Sequence, residues 1–140
     1  MYSMRVKSVM ERKKLLVAPP GTTVAKAAKL MAKKNVGAVM VVVDKRLAGI
    51  FTERDAVFRV IAAGLDPGTT TIGEVMTPDP VTVDPKEIFG RALLAMHDGG
   101  FRHVPVVENG EPIGIVSSRS ALDPEMEEFT AETQRRLSLR

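Results

Sequence analysis

Apolar residues along the chain follow two kinds of pattern, and the two alternate in a fixed order. Val24, Ala27, Ala28 and Met31 recur at i, i+3, i+4 and i+7, as do Phe89, Ala92, Leu93 and Met96. That spacing predicts two amphipathic helices, each with one apolar face. After each helix come two β-rich runs: Val36 to Val43 and Leu47 to Phe51, then Arg102 to Val107 and Pro112 to Val116. The polar turn Asp44-Lys45-Arg46 joins the first pair of runs. Asn109-Gly110 joins the second, and both residues suit the positive φ angles of a tight hairpin turn. A short extended piece and a Pro-containing turn precede each helix, Leu15-Leu16-Val17 in one case and Val81-Thr82-Val83 in the other. A further helix is expected from about Glu53 to Ala63, stopped by Gly64.

The order β-α-β-β-α is written twice, and the residues repeat with it. Gly49-Ile50-Phe51-Thr52-Glu53-Arg54-Asp55 returns as Gly114-Ile115-Val116-Ser117-Ser118-Arg119-Ser120, an offset of 65 residues. The same offset carries Pro20 onto Pro85, Ala27 onto Ala92, Met31 onto Met96 and Val39 onto Val104. Val9-Met10 matches Val75-Met76 at an offset of 66. Internal similarity of this kind marks two copies of one unit, and a unit of about 60 residues is marginal alone, so the copies are expected to pack together. The expected boundaries are 6–64 for unit 1, 65–71 for a linker, 72–122 for unit 2 and 123–140 for a tail. The tail carries its own helix signal: Asp123 as N-cap, Pro124 at the first position, Glu125, Glu127 and Glu128 early, Arg135 and Arg136 late. Met126, Phe129 and Leu137 form its apolar strip.

Composition narrows the function classes. The 140 residues include 0 Cys, so disulfides, thiolate metal sites and a cysteine nucleophile are excluded. No apolar run approaches the roughly 20 residues of a membrane span, and the first residues lack the pattern of a secretory signal, which leads to the expectation of a cytoplasmic location. Twenty basic residues stand against 17 acidic ones, interspersed along the chain, and aromatics are 4%. A broad nucleic-acid-binding face is therefore not expected, while a small-anion site is compatible with the balance.

The candidate chemistry lies in Thr52-Glu53-Arg54-Asp55, placed between a strand and a helix. One reading is a capping box, with the Thr hydroxyl accepting from the backbone three residues on and the acidic side chain reaching back. The other is a nucleotide site, in which a carboxylate accepts both hydroxyls of a ribose and the hydroxyl and free N–H groups meet phosphate. The same residues can serve both roles. His97 beside Asp98 reads as surface. The two His are far apart in sequence, and there is no Gly-x-Ser-x-Gly elbow and no Walker-type loop.

The repeated Gly-h-h-Thr/Ser-x-x-Asp ending (h apolar) resembles the CBS domain, named after cystathionine β-synthase. So do Val9-Met10 and Val75-Met76-Thr77-Pro78 at the start of each unit, Asn35-Val36-Gly37-Ala38-Val39, and Phe101-Arg102-His103-Val104-Pro105-Val106-Val107. The resemblance runs from Val6 to about Ala121. It implies an α/β fold of two β-α-β-β-α units packed about a pseudo-two-fold axis (a Bateman-type module), here with an extra C-terminal helix. It also implies two clefts that take AMP, ADP, ATP or S-adenosylmethionine as regulatory ligand, with no obligatory cofactor, in stand-alone form or fused to an enzyme or transporter.

Carried over by position, Asp55 resembles the ribose-binding carboxylate and Thr52 the hydroxyl beside the sugar-phosphate. Gly37 and Ala38, with Val17 of the first strand, would hold the adenine, the missing side chain of Gly37 letting a planar base approach the backbone. Arg102, His103 and Arg119 of the opposite unit would supply the cationic side, guanidinium groups matching phosphate oxygens in a fork. Arg102 and Arg119 also read as solvated surface charges, and His103 as a structural histidine. Unit 2 keeps a hydroxyl at Ser117 but has Ser120 where the ribose carboxylate is expected, so one good site per chain is expected. The resulting expectation is a regulatory adenine-nucleotide-binding module, not an enzyme, acting on an unidentified enzyme or transporter, and a homodimer through the apolar Val57, Phe58 and Ile61. The alternatives are an interaction scaffold that binds no nucleotide, or a nucleotide-hydrolysing enzyme.

Overall fold

The computed structural model of the chain describes residues 3–138, with side chains left out of the description for residues 120–128. Both amphipathic patterns form helices, α2 (Val24–Lys34) and α5 (Phe89–Gly99), which bury Val24, Ala27 and Met31, and Phe89, Ala92 and Met96. Leu93 is half-buried, whereas Ala28 is exposed, so the first stripe is narrower than its spacing suggests. Thr23 caps α2, its hydroxyl accepting from the Lys26 N–H at 3.2 Å. Asn35 (φ 55°) and Gly100 (φ 68°), again 65 residues apart, end the two helices in the left-handed conformation. In both, the next residue bonds back across the end: Val36 N–H to the Met31 carbonyl and Phe101 N–H to the Met96 carbonyl. This closing motif satisfies the helix carbonyls and turns the chain into the following strand.

Those strands form two antiparallel hairpins, β2 (Ala38–Val43) with β3 (Arg46–Thr52), and β5 (His103–Glu108) with β6 (Glu111–Ser117). The register is the same in both: Ala38 opposes Thr52, as His103 opposes Ser117, and a bulge follows Val41 and Val106. The extended pieces are shorter than the sequence suggests. Leu15-Leu16-Val17 contributes β1 (Val17–Ala18), parallel to β2, and Val81-Thr82-Val83 only a single bridge at Val83 to Val106. Pro80 and Pro85 flank that second piece and offer no N–H to a ladder.

Each hairpin packs on its own core, with Phe51 at the centre of one and Phe89 of the other. The opening segments cross over. Helix α1 (Val6–Val9) and Met10 pack into the core of residues 83–116, while α4 (Ile72–Val75) and Met76 pack into the core of residues 18–60. Strand β4 (Thr77–Pro78) completes this exchange by pairing with β3, and Glu11 bridges to Ile115. Ala38, Met40 and Ile50 meet Ile115 between the two sheets.

After β3 the chain enters a short helix, α3 (Glu53–Asp55), that continues as a π-helical stretch, Ala56–Ile61, and ends at Gly64 (φ 73°). The tail departs from the sequence expectation. A single helix, α6 (Ser118–Ser138), runs from the end of β6 through the tail, so the N-terminus expected at Asp123 lies inside it. The helix already starts at the strand end, as the first unit's helix does after β3, and the tail extends it. No helix among the described residues is long and apolar enough to cross a membrane.

Candidate functional site

Thr52 and Asp55 form the capping box. Asp55 Oδ2 accepts from the Thr52 backbone N–H at 2.9 Å and from its hydroxyl at 3.2 Å, while the Asp55 N–H donates to Thr52 Oγ1 at 3.4 Å. Asp55 is buried, and its other oxygen, Oδ1, lies 3.5 Å from Arg59 Nε. Arg59 in turn donates from Nη1 to the carbonyls of Val75 and Met76, at 3.2 Å each. The acidic group at the helix start is thereby tied to the crossing segment. A carboxylate has about four lone-pair sites, so these bonds leave it capacity to accept more.

This group lines a cavity of about 860 Å³. It is also lined by the stretch from Gly99 at the end of α5 to His103 at the start of β5, and by Thr77, Asp79 and Val81. A second cavity of about 220 Å³ lies beside it, lined by Asn35 to Ala38, Ser117 to Arg119, Glu11 and Lys14. The two are related by the 65-residue repeat: where the larger sets Thr52 to Asp55 against Gly99 to His103, the smaller sets Ser117 to Arg119 against Asn35 to Ala38.

The expected site residues are therefore divided. Thr52 and Asp55 share the larger cavity with Arg102 and His103, as expected, but not with Gly37 and Ala38, which face Ser117 and Arg119 in the smaller one. Arg102 and His103 border both. Val17 lines neither cavity; it sits in β1 against Met40. Gly37, Ala38 and Val17 are set apart from Thr52 because the crossing of the two units places the start of each unit's last helix against the loop of the other copy. Ser120 falls among the side chains outside the description.

Three contributors were not singled out from sequence. Glu53 borders both cavities, with Oε1 3.9 Å from His103 Nε2 and its carboxylate packed 2.8 Å from where a Cβ on Gly37 would stand. Phe58 lies 5.1 Å from the Arg54 guanidinium, and both line the larger cavity. Glu53 and Arg54 sit inside the Thr-x-x-Asp motif, so their place in the sequence is a usable signal; Phe58 stands out in the sequence only as part of the apolar face with Val57 and Ile61, not as a cavity residue.

His103 is mostly enclosed, its side chain 16% exposed. Burial lowers its pKa from 6.5, Glu53 opposes the shift, and Arg102 and Arg119 add to it. The ring is therefore held towards its neutral form. His97 is exposed beside Asp98 and outside both cavities, as its sequence context suggests.

Two copies of one α/β unit are interlocked and enclose paired cavities between them. The sequence profile of the CBS domain matches residues 6–62 and 72–124, and the chain belongs to that family. It is 42% identical over 110 residues to the CBS domain-containing protein CBSCBSPB3 of Arabidopsis thaliana, covering 78% of this chain and 20% of that one. The chain thus spans about a fifth of the length of that relative. Its fold matches an uncharacterized conserved protein from Pyrococcus horikoshii with a TM-score of 0.82 at 29% identity, covering 89% and 94% of the two chains. It also matches a CBS domain protein from Pyrobaculum aerophilum complexed with AMP, with a TM-score of 0.76 at 28% identity and coverage of 84% and 89%.

Proposed function

We propose that the chain is a regulatory module, acting in the cytoplasm, whose larger cavity takes an adenosine ligand and whose occupancy is read by a protein partner, an enzyme or transporter. AMP, ADP, ATP and S-adenosylmethionine are the ligands considered. The observation that carries this reading is the pairing across the cavity of Thr52 and Asp55 with Arg102 and His103. A carboxylate suits a vicinal diol, and an arginine facing it suits phosphate. The cavity volume falls within the roughly 300–1,000 Å³ of small-molecule sites. The AMP complex of the Pyrobaculum relative supports the ligand class. Gly37, Ala38, Ser117 and Arg119 form the corresponding weaker site in the smaller cavity.

Calorimetric titration with AMP, ATP and S-adenosylmethionine, followed by a phosphate-release assay, tests the proposal. Binding without turnover is expected. A ligand at 100 times its Kd adds about 2.7 kcal/mol to stability, which a thermal shift would register. Phosphate release would indicate a hydrolase, and absence of binding would leave an interaction scaffold. The scaffold reading has one observation in its favour, the exposed apolar side chains of Val57, Phe58 and Ile61. In the proposed module that face meets a second copy of the chain.

A further inference from the structure

The larger cavity is bordered by three guanidinium groups, Arg54, Arg59 and Arg102, and three carboxylates, Glu53, Asp55 and Asp79. The cations are not equally available. Arg59 is engaged by Asp55 and by the carbonyls of Val75 and Met76. Arg54 is stacked over Phe58. Arg102 remains, next to His103, as the cationic end of the cavity. Glu53 lines the same end, its carboxylate 3.9 Å from His103 and backed by the chain at Gly37. Glu53 thus places a fixed negative charge at the end of the cavity where Arg102 stands.

We infer that Glu53 sets the charge of the ligand that this cavity accepts, favouring a nucleoside monophosphate over the triphosphate; the inference rests on the adenosine-ligand reading above. A monophosphate brings about two negative charges at neutral pH. Each further phosphate adds charge to a cavity whose fixed groups already balance. Like charges a few ångströms apart in a half-solvated site weaken binding by about three- to tenfold per pair.

The test is calorimetric titration of the full chain with AMP and with ATP, in EDTA and at constant ionic strength. Wild type binds AMP at least about tenfold more tightly than ATP, the sum of such pairwise effects over two extra phosphates. Glu53→Gln removes both pairwise effects and narrows that ratio by about tenfold, by tightening ATP more than AMP. Glu53→Asp, which keeps the charge, retains the preference. The Glu53 side chain is 62% exposed, so both variants are expected to keep the fold, and their thermal unfolding checks this. Wild type binding ATP as tightly as AMP overturns the inference, and so does an unchanged ratio in Glu53→Gln. If no variant binds either nucleotide, the ligand assignment itself fails and takes this inference with it.

Discussion

The thioether of Met76 occupies the space that a side chain on Gly49 would need, and the thioether of Met10 does the same at Gly114, 2.9 Å from the ideal Cβ position. Each glycine lies on the hairpin of one unit, and each methionine on the segment that crosses from the other. The repeated Val-Met and Gly-h-h-Thr/Ser motifs are thus two halves of one contact, made twice. Because the Gly49 site is also closed by the Thr77 carbonyl at 2.8 Å, a methyl there cannot be relieved by side-chain motion alone. Gly49→Ala is expected to lower stability by about 1–3 kcal/mol, the usual cost of overpacking. Denaturant midpoints for Gly49→Ala and Gly114→Ala check this; unchanged midpoints would show that the crossing segments are loosely held.

Asp55 has a structural role and a proposed binding role, and the two separate by magnitude. Asp55→Ala removes the reciprocal cap, a loss of about 0.5–2 kcal/mol of stability. In the proposed site it would also remove hydrogen bonds to the ribose, worth about 1.5–3 kcal/mol each. The loss of one already weakens binding about tenfold, at 1.4 kcal/mol per decade. AMP titration and urea unfolding of the same variant read both. A variant that is destabilised but binds AMP normally would confine Asp55 to capping.

His103 makes stability depend on pH in a defined direction. Its folded pKa lies below 6.5 because burial and the neighbouring Arg102 and Arg119 disfavour the charged ring, against the opposing pull of Glu53. Between the two values the unfolded chain binds more protons, so stability rises with pH there. The contribution is complete above about pH 6.5 and is lost as pH falls towards the folded pKa. In His103→Gln this acid-side loss disappears. Unfolding midpoints from pH 8 to 5 for both proteins should diverge only below about pH 6.5; parallel curves would contradict the burial of the ring.

The exposed face formed by Val57, Phe58 and Ile61 predicts assembly. These side chains are 50%, 62% and 70% exposed, beyond what isolated surface hydrophobics require, and a self-complementary face is the usual basis of a two-fold dimer. Sedimentation at micromolar concentration should give twice the 15.2 kDa chain mass. Ile61 borders neither cavity, so Ile61→Asp should yield the monomer while leaving the cavities in place. A wild-type monomer at that concentration would exclude the dimer.

Local chemistry made much of this protein legible from its residues. The period of the apolar positions gave the helices away, the turn residues at 44–46 and 109–110 the hairpins, and the offset of 65 the pairing of the copies. Thr52 and Asp55 were recognisable because a capping box is made by residues three apart, a distance that sequence reports directly. The start of helix α6 differs from the sequence signal, since Asp123-Pro124 has the character of an N-terminus but lies inside a helix already begun at Ser118.

What the sequence could not report is which copy each segment serves. Val6–Met10 precedes the first hairpin yet packs on the second, and Ile72–Met76 precedes the second yet packs on the first. Two cores of similar apolar composition offer much the same environment, so residue type alone does not distinguish staying from crossing. That choice decided the site as well, setting Thr52 and Asp55 against Arg102 and His103 and leaving Gly37 and Ala38 to Ser117 and Arg119. The two units and their motifs follow from neighbours along the chain, so spacing and residue type report them directly. The cavities depend on packing, because each joins groups far apart along the chain, Asp55 and Arg102 by 47 residues and Ala38 and Ser117 by 79.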